Sequence, residues 1–388
     1  MNQKQEALKT TNATAEEVFE RFNRIFDQLA IVKEVAVVFL DKVNDAVIVE
    51  ENCIGISKAF VKQLYLFAYK LMLKVVKGKQ CTFENEAANK STRCVVLLCP
   101  DCCTAWNIRK DLMLMKYIID YKQELNLARL VLQKQPKSLE SFSHRRWLLN
   151  QLFKVTSNSN LQPNSVLKML LKKKKLKKLA VALNFKRFEW EIINNEMSVS
   201  HEAARMHPSN YTAWSHRVWV INCLIFPSAS VSHKDSNVFV KFLHKEFIDG
   251  LKWTEYNVSD YSCMSYLEHI ILCLVLAHFI NPLNISDVIN LDDILTSALE
   301  HNSDLLRLHN GKHEALWVHR RAIFKIYHTV LHRLCSVEDP SYEDHRNVKL
   351  NLKEKFSLCG EEFFCKSFPK NCFCLRHLST FKQRVYSR

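Results

Sequence analysis

The chain has 388 residues, 48% hydrophobic and 11% aromatic, which is enough for a large core and too apolar for a disordered tail. Its five glycines lie at least 23 residues apart, so the dinucleotide and phosphate-binding loops, the kinase glycine-rich loop and the G-x-S-x-G elbow are all excluded. A net charge of +15 leaves nucleic acid, an anionic membrane surface or an acidic protein partner open.

Low glycine and low proline predict an all-α protein, because β-rich folds need turn glycines. H-E-x-x-H is absent. Residues 1–90 form an N-terminal helical region in this reading, on the periodicity of Val18, Phe19, Phe22, Ile25, Phe26 and Leu29. The polar N-terminus is no secretory signal, so the 14 cysteines are expected as reduced thiols in a cytoplasmic protein. The most apolar stretch, Ile270–Ile280, spans 11 residues and is too short to cross a bilayer, so no transmembrane segment is expected.

From about residue 91 an aromatic residue is followed by arginine three positions later. The pairs are Trp106/Arg109, Phe142/Arg145, Trp214/Arg217 and Trp317/Arg320, with Phe373/Arg376 as a weaker copy and Met264/Leu267 as a degenerate one. The first three aromatics are separated by 36 and 72 residues, one and two units of a helical-pair repeat. Six residues before four of the aromatics comes a break, at Pro100, Pro136, Pro208 and Gly311. Twelve residues before Pro136 and Pro208 stand Glu124 and Glu196. Each unit therefore reads as helix, short turn, helix, with Ser138, Asn210 or Thr212 capping the second helix. The aromatic packs between helices, and the arginine lies beside it with its guanidinium on backbone or acidic groups.

One unit cannot bury its apolar face alone, so residues 91–388 are expected to stack as an α-α superhelix, a crescent-shaped solenoid. Insertions are expected near 153–180 and 331–354. The first carries the lysine run Lys172–Lys178. That run has no aromatic platform around it and reads as a solvated insertion rather than a nucleic-acid contact.

These motifs resemble the protein prenyltransferase alpha-subunit repeat family. The residues that carry the likeness are PKSLESFSHRRW from Pro136 and EMSVSHEAARMHPSNYTAWSHRVW from Glu196, extended by TAWNIRKDL from Thr104 and ALWVHRR from Ala315. In detail they look closer to the repeat-containing branch than to the farnesyltransferase or Rab geranylgeranyltransferase alpha chains. The resemblance implies an alpha-type subunit of a heterodimeric transferase, inactive alone. It implies a beta subunit, Rab-type by this likeness, that holds zinc and the isoprenoid pocket. It implies geranylgeranyl diphosphate as co-substrate and a protein substrate with a C-terminal cysteine. No metal or cofactor is expected in this chain, and no nucleic acid is an expected partner.

The resemblance also implies site residues. Lys137 takes the place of the family lysine that stabilises the departing diphosphate. The family tyrosine two residues later is Leu139 here, and its tryptophan is Phe142. Asn210 and Tyr211 match the unit that faces the substrate side, and His144 and His216 precede the repeat arginines. Each has a plainer reading: a solvated turn lysine, a helix cap, a packed ring, and histidines in a local hydrogen-bond network. A non-catalytic scaffold of the same repeats is the alternative function.

Two further motifs are set aside. Cys99, Cys102 and Cys103 align with an ordinary turn, and Cys359, Cys365, Cys372 and Cys374 lack metal-ligand spacing. Asp292-Asp293 reads as a helix start rather than a magnesium motif.

Overall fold

The computed structural model describes residues 13–39, 46–77, 82–153, 190–222, 233–280, 290–335 and 356–386. Most of the expected insertion near 153–180, its lysine run included, and most of that near 331–354 lie outside them. Among the described residues are fourteen α-helices and three strands. The chain divides into two compact units. Residues 1–154 and 198–207 make the first, and residues 155–197 and 208–388 the second.

In the first unit α1 (Ala15–Gln28) opens with a capping box, in which Thr14 and Glu17 satisfy each other's backbone N–H. The predicted helical face is real: Val18, Phe19 and Phe22 are buried. A small sheet follows, which the all-α expectation did not include. Its strands are β1 (Glu34–Val38), β2 (Val47–Glu50) and β3 (Cys53–Ser57), in the order β1-β3-β2. β1 runs parallel to β3 and β2 antiparallel. Gly55 sits on the central strand because a Cβ there would meet Ile48 Cγ1 at 2.7 Å. The described residues are therefore mostly helical, with one small sheet made by short β-branched runs that need no turn glycine.

Helices α2 (Lys58–Lys77), α3 (Thr82–Leu98) and α4 (Cys103–Leu114) pack in sequence, and α2 lies against the sheet. The pair α5 (Tyr121–Lys134) and α6 (Leu139–Phe153) follows. Helix α7 (Trp190–Met206) is followed in the second unit by α8 (Tyr211–Val220), α9 (His233–Tyr256) and α10 (Tyr261–Ile280). Then come α11 (Leu291–Leu308), α12 (Glu314–Cys335), α13 (Leu358–Cys365) and α14 (Cys372–Tyr386).

The α10 helix contains the apolar stretch but is longer than that stretch. The window Tyr261–His278 is long and apolar enough to cross a membrane, yet 72% of it is buried inside the protein. It packs against α8, α9, α11 and α12 and forms the core of the second unit.

Candidate functional site

The repeat residues organise a buried polar relay. Trp106 and Trp317 are fully buried, and each indole N–H donates to the carbonyl at the break six residues earlier. These bonds run to Pro100 at 2.7 Å and Gly311 at 2.9 Å. Gly311 has φ +66°, a conformation that favours glycine. Trp214 instead donates to Asp260 Oδ2 at 3.2 Å. The same carboxylate takes the Trp253 indole and, through Oδ1, caps the backbone of Ser262 and Cys263.

Three of the repeat arginines, Arg109, Arg217 and Arg320, reach a glutamate of a later helix. Arg109 makes a bidentate pair with Glu124, and its Nη1 donates to Asn89 and Thr92. Arg320 pairs with both oxygens of Glu361 at 2.6 and 2.7 Å and also donates to Asn302 and Ser303. Arg217 pairs with Glu246. A second arginine bond ties the helix pair itself: Arg145 Nη1 donates to Leu125 O at 2.6 Å, and Arg217 Nη1 to Met197 O at 2.7 Å.

Histidine closes the relay. His144 Nε2 lies 2.9 Å from Glu124 and His216 Nε2 3.0 Å from Glu196, with both rings fully buried. Burial pushes the Glu124 carboxyl up, but the Arg109 charge and bonds, with His144, outweigh it and hold the group well below the usual carboxylate range. Burial likewise lowers His144, against the opposing pull of Glu124, so the imidazole is neutral and donates through Nε2.

Two units differ from expectation. At Met264/Leu267 the repeat is substituted rather than eroded. Glu246 stands at the same spacing before Met264 as Glu124 before Phe142, and Tyr266 takes the histidine place, donating to Glu246. Leu267 replaces arginine and packs over Gly250, where a Cβ would stand 2.5 Å from Leu267 Cδ2.

The pair Phe373/Arg376 is out of register. Asn371 caps α14 through Phe373 and Cys374, as Asn210 caps α8 through Ala213. Counting from the cap puts Leu375 in the aromatic place and His377 in the histidine place. His377 indeed bonds Glu361 at 2.7 Å, whereas Arg376 is exposed and pairs with Glu314. An aromatic-x-x-Arg match alone could not set this register. The cap could have, since Pro369-Lys370-Asn371 parallels Pro136-Lys137-Ser138.

The candidate site residues fall into two groups. Lys137 is exposed in the turn between α5 and α6, flanked by Gln135 and Ser138, which both bond Asp101 of the preceding turn. Tyr211 is also exposed, on the first turn of α8. Asn210 is buried as the cap, accepting from Ala213 N and Thr212 Oγ1. His144 and His216 belong to the relay. Lys137 lies in the first unit, and Asn210 and Tyr211 in the second. Leu139, in the family tyrosine's place, is exposed and offers no hydrogen-bond donor.

Two of the remaining motifs stand at helix starts. Cys102 is the N-cap residue of α4, in the place Asn210 holds in α8. Asp292 and Asp293 stand in the first turn of α11, behind the Asn290 cap. Among the described residues, three potential metal ligands converge at Glu361, Cys365 and His377.

Helix pairs pinned by an arginine–glutamate–histidine relay define an alpha-subunit repeat protein. The protein prenyltransferase alpha subunit repeat model matches residues 121–152 and 193–224, the α5–α6 and α7–α8 pairs. Human protein prenyltransferase alpha subunit repeat-containing protein 1 is 31% identical over 306 residues, covering 73% of this chain and 69% of its own length. The Danio rerio protein of that name is 30% identical over 73% of this chain and 64% of its own length. The Xenopus laevis protein 1-B is 29% identical, over 74% and 65%. The chain spans about two thirds of the length of these relatives. It belongs to the protein prenyltransferase alpha subunit repeat-containing protein 1 family.

Proposed function

We propose that this chain is the alpha-type subunit of a heterodimeric protein geranylgeranyltransferase. The observation that carries this reading is Lys137, an exposed ammonium on the turn that opens α6 inside a unit matched by the alpha-subunit repeat. As the C–O bond of an isoprenoid diphosphate breaks, negative charge builds on the leaving group, and a fixed cation lowers that barrier. The His144–Glu124 and Arg145–Leu125 bonds hold α5 and α6 together, so the lysine is presented from a rigid base.

In this reading the isoprenoid pocket and the zinc belong to a Rab-type beta subunit, and the acceptor is a C-terminal cysteine of a cytoplasmic protein substrate. Tyr211 and Asn210 serve the peptide side, Tyr211 by contact and Asn210 by fixing the start of α8.

A scaffold without catalysis is the second reading. It is favoured by Leu139, which cannot donate to a diphosphate, and by relatives whose names describe repeats rather than a transferase. The test is transfer of a geranylgeranyl group to an acceptor cysteine by the chain mixed with a Rab-type beta chain. Transfer by the mixture and by neither chain alone supports the enzyme; a stable complex without transfer supports the scaffold.

A further inference from the structure

We propose that Cys99 and Cys102 form a reversible disulfide, a thiol–disulfide exchange site on the turn between α3 and α4. The repeat builds this turn the same way in four places. The backbone N–H of the residue that caps the second helix donates to the carbonyl three residues earlier. These bonds run from Cys102 to Cys99 at 3.2 Å, Ser138 to Gln135 at 3.0 Å, Asp260 to Asn257 at 2.9 Å and Asn371 to Phe368 at 3.2 Å. A turn closed in this way holds its end Cα atoms within about 7 Å, and a disulfide spans about 4.4–6.8 Å. Pro100, second in the turn, sets the backbone for it. Of the four turns, this one alone has cysteine at both ends.

The two thiols are also available. Ser138, Asp260 and Asn371 each use the side chain to accept a backbone N–H of the helix they start. Cys102 makes no such bond, although a side-chain cap is worth about 1 kcal/mol. Cys99 and Cys102 are half-buried, within reach of a small disulfide, whereas Cys94 on α3 is fully buried. Burial, and next the thiols of Cys99 and Cys102, push the Tyr65 hydroxyl up, so both sulfurs lie near one group on α2. Cys103 is exposed, and its thiol donates to the Asp101 carbonyl at 3.7 Å. Its Cα stands about 3.8 Å from that of Cys102, too close for ordinary disulfide geometry.

The exchange partner is a low-molecular-weight disulfide of the glutathione class. One protein thiolate attacks a glutathione sulfur, the glutathione S–S bond breaks, and one glutathione leaves as its thiol. The second protein thiolate then attacks the protein sulfur of the mixed disulfide and expels the other glutathione. The protein loses two electrons and two protons, and the two glutathione thiols carry them away. The closed loop holds only four residues, so the bond restricts the unfolded chain little, as suits a labile disulfide rather than a structural one. Asp101 lies inside that loop and accepts from Gln135 Nε2 and Ser138 Oγ, so the redox state of the pair bears on the turn that carries Lys137.

The test uses the full chain, reduced, equilibrated with mixtures of oxidised and reduced glutathione, quenched with acid, alkylated and digested with trypsin. The expected result is a peptide 94–109 lighter by two hydrogens, with fragmentation placing the link between Cys99 and Cys102, and its loss on treatment with dithiothreitol. Cys99→Ser and Cys102→Ser are each expected to lose the internal link and to hold a mixed glutathione disulfide on the remaining thiol. Cys103→Ser keeps the link. Cys102→Ser installs the cap that Ser138 provides in a sister unit, so it is expected to fold. An unmodified chain that stays reduced or carries only mixed disulfides across the mixtures, or a link that maps to Cys94 or Cys103, overturns the proposal.

Discussion

Arg109 and Glu124 stand 15 residues apart in sequence and meet as a buried bidentate pair, with Nε to Oε1 at 2.7 Å and Nη2 to Oε2 at 2.5 Å. The pair ties α4 to α5, and His144 on α6 joins it from the other side. Removing the carboxylate alone leaves one cation without its partner and one imidazole without its acceptor. Glu124→Ala is therefore expected to cost about 3–5 kcal/mol, read as a lower midpoint in chemical denaturation. With Arg109→Met added, the loss should be clearly smaller than the sum of the two single losses.

Tyr266 does for Glu246 what histidine does elsewhere. Its hydroxyl donates to a carboxylate that also receives Arg217, in a fully buried setting. Tyr266→Phe keeps the ring and removes the donor. The expected cost is roughly 1–3 kcal/mol by equilibrium unfolding, with helix content unchanged in the circular dichroism spectrum.

The relay sets the direction of pH dependence. Burial lowers His144 and His377, opposed in each case by the neighbouring glutamate. Burial also lowers His269, on α10, to about 4. These histidines take up protons in the unfolded chain before the folded one, so stability falls as pH drops below about 6.5. For His269 alone the loss amounts to roughly 3 kcal/mol by pH 4. Glu124 and Glu361 resist protonation when folded because burial is outweighed by their arginines and histidines. Their contribution is present above the ordinary carboxylate pKa and is lost as pH falls below about 4.3. Melting temperatures should be level between pH 8 and about pH 6.5, fall below that, and steepen toward pH 4.

Lys137 is exposed, so Lys137→Ala should change stability by less than about 0.5 kcal/mol. In a complex with a beta chain it is expected to slow geranylgeranyl transfer by at least tenfold while leaving the complex intact. Equal turnover by the variant would remove this lysine from the chemistry.

Most of the repeat was legible because its parts recur at fixed offsets. Glu124 and Glu196 announce themselves 12 residues before a proline, and both proved to be relay carboxylates. Glu246 keeps the 18-residue spacing to Met264 but lacks both cues, since Val258 stands where proline would and Leu267 where arginine would. Arg376 misled because an aromatic-x-x-Arg match occurs by chance two residues out of register, and only the Asn371 cap and the His377 bond fix the frame. The sheet was missed for a different reason. Low glycine argues against tight β-turns, yet β1 pairs with β3 in parallel across a longer connection. The candidate site was legible only in part. The turn position of Lys137 follows from Pro136, whereas the burial of His144 and His216 depends on a helix that sequence spacing alone does not place.

The most direct measurement is the mass of the species formed when this chain is mixed with a Rab-type prenyltransferase beta chain and separated by size. A stable one-to-one complex, competent in geranylgeranyl transfer, is the expected result. Two separate species at micromolar concentration, with every beta chain tried, would contradict the alpha-subunit assignment.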